Sequence, residues 1–491
     1  ENTSANGVAV DGVTLKDGAV GATGTATSVA GIPFYRGPGD SKSIYTHDVS
    51  GTDNDALFNT GYGLTALDAI TTGDENVALG YAALTSLTTG TRNIAIGRQT
   101  ADEFDTENDN LAIGRSALGG TVAGGEFNVA IGNYSLDALT SADNNVVIGY
   151  EAGGALTTSG ENVIIGSYAV SNGVLTGTQN IAIGRLAGQD LTSANKNTIV
   201  GWSAAKEATT AAENTYIGYL AAGTGIGTSA YNVAIGNEAA EAATSMSEST
   251  IVGYKAATAN TTGSHVIAIG YTAYDAADTE NHNLAIGTSA LGGSVAGGEF
   301  NVVVGNYTGD AITSGDHNTI IGYSAGSGLT TGSDNVILGS SCSMADVTHS
   351  NAIIIGKEIA GNGDRFSFGK PSNVVQNTFT SDANWSRSSD ERLKTNVNNV
   401  GWKSLDFINE LRPVTFNWKA SQDVPTDMAE YYPNVNHMDT TTVIDGLIAQ
   451  EVKTAIDNNN MTNFSGWKTD PSGTQTLSKE AFVVPLIKAV Q

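Results

Sequence analysis

At 491 residues the chain is long enough for several domains, and its net charge of −27 would repel a nucleic-acid backbone or an anionic membrane surface over most of its length. Sixty glycines against eight prolines exclude collagen, and 40% apolar residues exclude a disordered chain. One cysteine, Cys342, cannot form an intrachain disulfide and reads as structural filler.

Residues 1–58 lack the repeat that follows. Within them Val8-Ala9-Val10-Asp11-Gly12-Val13-Thr14-Leu15 predicts a strand, an Asp-Gly turn and a second strand. This segment is expected to be a stalk toward an attachment end.

Residues 59–357 are built on one cell, Asn-apolar-apolar-apolar-Gly, as in Asn76-Val77-Ala78-Leu79-Gly80 and Asn180-Ile181-Ala182-Ile183-Gly184. Its glycines recur every 17 or 18 residues from Gly63 to Gly356. Over this runs a longer period, because Glu107 to Ser167 returns nearly unchanged as Glu280 to Ser340, ten coils later. Interchangeable units of this kind specify a parallel β-solenoid, in which each coil needs only its neighbours. Short Ile/Val/Leu runs bounded by Gly predict strands, with room in each coil for about two strands and two turns. The Asn is expected to bond local backbone and the Gly to open a turn. Both faces of these strands are apolar, and a thin solenoid fills only one with its own interior. The other face therefore predicts a homo-oligomer bundled along the rod.

The cell Asn110 to Ala117 resembles the head repeat of trimeric autotransporter adhesins, a parallel β-roll in which three chains pack side by side, and related repeats of bacteriophage tail fibres. The resemblance implies a homotrimer.

Residues 358–388 turn polar and irregular and predict a neck. From 389 to 491 a small α+β domain is expected: Ser404 to Leu411 and Leu447 to Asp457 are helix-like, and Val414 to Trp418 is strand-like. Trp385, Trp402, Trp418 and Trp467 crowd this part, as a compact aromatic core requires.

Three blocks stand out here: Ser389-Asp390-Glu391-Arg392-Leu393-Lys394, Leu411 to Lys419, and Gly446 to Val452. Together they resemble the peptidase S74 family, the intramolecular chaperone domain at the C-terminus of phage tail fibres and tailspikes. The resemblance implies that the domain assists trimer assembly and then cuts the chain at the Ser388–Ser389 bond, with Ser389 as nucleophile and Lys394 as general base. Such a lysine must lose its charge near neutral pH, which needs burial or a neighbouring cation, so cutting is expected only after the trimer folds. Members of the family continue past the last apolar helix into a coiled-coil tail, whereas this sequence ends at Ala489-Val490-Gln491.

The six histidines show no metal-ligand spacing. His265, His282 and His317 do share one place, five residues before the marking glycine, which reads as a solvated turn. No phosphate-loop motif and no calcium-roll cell occurs, and no cofactor or metal is expected. No apolar run approaches the length of a membrane span, and neither membrane insertion nor nucleic-acid binding is expected. The reading favoured is an extracellular virion tail fibre that adheres to a host surface receptor or glycan and contacts other tail proteins. A bacterial trimeric adhesin would carry a membrane-anchor barrel. A polysaccharide-degrading tailspike would need a carboxylate pair in a groove, and none stands off the pattern.

Overall fold

The three apolar residues before each marking glycine form a strand, as at Val77–Leu79, Ile94–Ile96 and Leu111–Ile113. Each strand pairs in parallel and in register with the strands one coil before and after, so Ala78 lies against Ala95 and Ala95 against Ala112. In this computed structural model the ladder runs in chain order from Ile44–Tyr45 to Arg365–Lys370. At about 4.8 Å per rung it makes a stack about 90 Å long. The structure describes residues 43–46, 55–120, 124–224, 227–371, 373–378 and 391–491 apart from 427, 429–430, 435, 437, 439, 462 and 470–472. It also describes four short strands before residue 35. Two of these, Val8–Val10 and Val13–Leu15, pair antiparallel as predicted.

The middle residue of each strand points inward and is fully buried, as are Ala83, Leu84 and Leu87 of the same coil. This narrow interior of Ala, Leu, Val and Ile rows is continuous from Tyr45 to Ile359. The residues flanking the middle one face out and remain in contact with solvent: Leu79 is 42% exposed and Ile321 42%.

The rest of the coil departs from expectation. Most coils carry one strand rather than two, because the second run of inter-coil hydrogen bonds passes through residues with positive φ; near the C-terminal end of the solenoid a second pair does form, Ser343–Met344 parallel to Ala360–Gly361. Ala82 (φ 55) donates its N–H to Leu64 of the preceding coil, and Leu84 (φ 52) donates to Thr100 of the following one. A residue five before each marking glycine, such as Glu75 (φ 60), does the same. Alternating right- and left-handed residues aim successive N–H groups up and down the stack, so the backbone is satisfied without extended strands.

The marking glycines from Gly63 to Gly339 have φ between +127 and +145. A Cβ at any of them from Gly63 to Gly339 would meet the next marking glycine within 2.6 Å, usually at its carbonyl oxygen. Close approach between coils, as well as conformation, therefore excludes every other residue there.

The asparagines are buried and form a ladder between coils. Asn93 donates its backbone N–H and its Nδ2–H to Asn76 Oδ1 (2.9 and 3.2 Å), and also donates Nδ2–H to the Glu107 carbonyl at 2.7 Å. Local bonds occur too, as from Asn110 Nδ2 to Asn108. The bond to the neighbouring coil is the recurring one, because the stack places an identical acceptor one rung away. Where the row changes, at Ser249, its hydroxyl takes over and accepts from the Val266 N–H at 3.0 Å.

The solenoid extends past the marked cells at both ends. Its first rung, at Ile44–Tyr45, has no marking glycine. Its last follows a coil of only 13 residues, where Ile353 pairs with Phe366 and Gly356 with Gly369. The chain then doubles back, and Asn373–Thr378 pairs antiparallel with Arg365–Lys370.

The chain divides into two units, Glu1–Arg387 and Ser388–Gln491. Among its described residues the second holds three α-helices, α1 (Ser404–Glu410), α2 (Ala449–Asn458) and α3 (Val483–Val490). They surround a core of Phe407, Val452, Ala455, Ile456, Met461 and Phe464. Trp402 and Trp467 pack on this core, whereas Trp418 is 48% exposed and meets Phe416 edge-on. Trp385 lies outside the described residues.

Candidate functional site

The first motif block enters the description only at Glu391. Ser388 and Ser389 lie outside the described residues. Glu391–Leu393 form one turn of 3-10 helix, and the Lys394 N–H closes it on the Glu391 carbonyl at 2.9 Å. The whole stretch from Glu391 to Asn399 faces solvent, Lys394 included.

The second and third blocks meet. Val414–Phe416 pairs antiparallel with Ile444–Gly446, which sets Val414 opposite Gly446. From the residues flanking this pair, Arg412 grips Glu451, in the first turn of α2, with a two-pronged ion pair whose Nε bond is 3.1 Å. The guanidinium holds the Glu451 carboxyl below the usual carboxylate range, and the carboxylate in turn raises Arg412. Sequence reasoning had both residues inside its motifs but not their pairing, since 39 residues separate them. The arrangement fixes the two blocks to each other and leaves the Lys394 strip on the surface. The last helix also presents apolar residues outward, with Leu486 50%, Ile487 53% and Val490 82% exposed.

On the solenoid, two outward rows are distinct. Beside the strands runs the half-exposed Ile/Val/Leu row. Just after the marking glycines runs an aromatic and cationic row, in which Arg115 lies over the Tyr134 ring (4.4 Å) and Tyr150 packs edge-on to Tyr134 and Tyr168. The histidines five before the glycine do occupy a surface turn, but they are stacked. His265, His282, Phe300 and His317 lie with ring centroids 4.5–5.0 Å apart and nearly parallel planes, and His265 meets Glu248 at 3.2 Å. That stack was hidden in the sequence by Phe300, which fills the same row without being a histidine.

Among the described residues, no three His, Cys, Asp or Glu side chains cluster as metal ligands. No described helix is long and apolar enough to cross a membrane. No curated protein and no solved structure matches the chain. Residues 389–461, which carry all three motif blocks, match the family model of the peptidase S74 domain, described as the chaperone of endosialidase.

Proposed function

We propose that the chain is one subunit of a trimeric fibre, a rod that adheres to a host cell surface, whose C-terminal unit assists assembly and then cuts itself away. The observation that carries this reading is the pairing of a peptidase S74 match at 389–461 with a solenoid whose sheet face keeps Ile, Val and Leu in contact with solvent. An apolar stripe of that length is a liability in a lone chain and an interface in a bundle. Three copies packed along it would bury the row, and the exposed face of α3 offers a second contact. A virion tail fibre, set outside the cell and joined to other tail proteins, is the setting in which such a chaperone and rod occur together.

In the cutting step, Ser389 Oγ attacks the Ser388 carbonyl carbon while Lys394, uncharged, takes the hydroxyl proton. The amide breaks with a proton passing to its nitrogen, and water hydrolyses the resulting ester. Lys394 is solvent-facing in the single chain, so assembly is what would bury it beside the serine as a general base requires.

Intact mass under denaturing conditions tests the cutting. The wild type should split into two fragments meeting between Ser388 and Ser389, while Ser389→Ala and Lys394→Ala stay whole. Sedimentation of the Ser389→Ala protein tests assembly and should return three times the chain mass. A whole wild-type chain removes the peptidase reading, and a monomer removes the fibre.

A further inference from the structure

The row just after the marking glycines places a ring or a guanidinium on every coil from Tyr81 to Tyr219. It differs from the histidine row in one physical respect. There the rings lie parallel, within 17° of one another, and cover each other's faces. Here the Tyr134–Tyr150 and Tyr150–Tyr168 pairs meet at 86° and 76°, the edge of one ring against the face of the next, and a ring in such a chain keeps part of its surface in solvent, although farther along the row Tyr254 and Tyr271 stack at 15°. Tyr150 is 42% exposed and Trp202 54%.

At Tyr150 the row deepens into a cavity of about 390 Å³ bounded by Arg115, Tyr134, Asp137, Tyr150, Glu151 and Ser171. Its floor combines what a sugar needs. Ring faces meet the apolar C–H face of a pyranose, carboxylates accept from paired hydroxyls, and a guanidinium donates to ring or hydroxyl oxygens. Two carboxylates against one guanidinium leave the site negative, within a chain of net charge −27. An acidic sugar is thereby disfavoured. The rise between coils, about 4.8 Å, is close to the length of one pyranose unit, so neighbouring coils can receive neighbouring sugars.

We infer that the Arg115–Tyr134–Tyr150 pocket binds an uncharged pyranose unit of a polysaccharide laid along the coil axis. This rests on the adhesion reading and gives it a ligand class. Burial and the nearby Glu151 raise the Asp137 carboxyl, and the bond to Glu151 pushes the Tyr150 hydroxyl up to about 12, so both groups are already drawn into one polar network. The pocket walls belong to the turns after the marking glycines, whereas the Ile/Val/Leu row assigned to the packed copies lies on the strands before them.

The test is binding of the full chain to a printed array of neutral and acidic bacterial glycans, alongside labelled chain on a panel of bacterial cells. Neutral glycans should be retained. Tyr150→Ala and Arg115→Ala should each lower apparent affinity at least tenfold at unchanged melting temperature, while Tyr150→Phe, which keeps the ring, stays within threefold. Binding confined to acidic glycans, binding indifferent to both alanine variants, or no glycan bound at all overturns the pocket. Cells that bind wild type and Tyr150→Ala alike overturn the pocket and leave adhesion standing, whereas cells that bind neither form overturn adhesion itself.

Discussion

Gly201 has φ +142, and a Cβ there would come within 2.2 Å of the Gly218 carbonyl oxygen. Gly201→Ala should therefore cost at least ~2 kcal/mol through strain and coil separation combined, read as a lowered melting transition. The asparagine ladder makes a graded case. Asn197 accepts from both the N–H and the Nδ2–H of Asn214 and donates to the Ala211 carbonyl. Ser249 accepts only the Val266 N–H from the coil above. Since each buried group left without a partner costs roughly 1–3 kcal/mol, Asn197→Ala should destabilise more than Ser249→Ala when the two are compared by denaturant unfolding. Equal losses would show that the ladder's bonds are not what hold the coils in register.

At the scale of one coil, a carboxyl recurs five residues after the marking glycine, as in Asp102, Asp137, Asp275 and Asp310. Burial raises each of them above the ordinary aspartate value. A raised folded-state pKa contributes stability that is present below the unfolded value and lost as pH rises through the folded one. Asp310, half-buried and with Oδ1 unbonded, is the clearest member. Asp310→Asn should raise the melting temperature at pH 7, and its advantage should shrink to nothing below about pH 4, where the wild-type carboxyl is neutral in both states. An advantage independent of pH would place the effect in packing.

The period and the position of the strand before each glycine were legible, because Gly and a branched triplet mark each coil; which of the two apolar faces turns inward was not, because both carry the same residue types. The left-handed residues were not, since Ala82 and Leu84 carry no side-chain signature of positive φ and are set there by the coil on either side. Nor were the end coils, which lack the mark or shorten it to 13 residues. For the candidate site, the motif order named Ser389 and Lys394, and matching residues 389–461 rests on the same blocks. The Arg412–Glu451 grip was beyond reach because it depends on how α2 packs.

For the solenoid as a whole, stability is close to a sum over coils and their contacts. The repeated block supplies a direct test. Removing residues 107–279 joins Thr106 to Glu280, where the flanking sequence is nearly the same on both sides. Glu107 and Glu280 even play one part: each is buried and accepts a backbone N–H from the loop of the coil above, Gly124 and Gly297 respectively, both at 2.9 Å. The shortened chain should fold with a rod shorter by about 48 Å, measured by electron microscopy, and with a melting temperature near that of the parent. A collapse of folding would mean that the coils are not interchangeable.

The reversal at the end of the ladder has a consequence for growth. A stack of parallel rungs is a template, and an open last rung would recruit the first rung of another molecule, polymerising without limit as concentration rises. The antiparallel strand Asn373–Thr378 occupies that rung. Its sequence, Asn-Val-Val-Gln-Asn-Thr, has no glycine at the spacing the next coil would need. The length of the rod is thus written in the number of coils encoded, and stays the same however crowded the solution in which it folds.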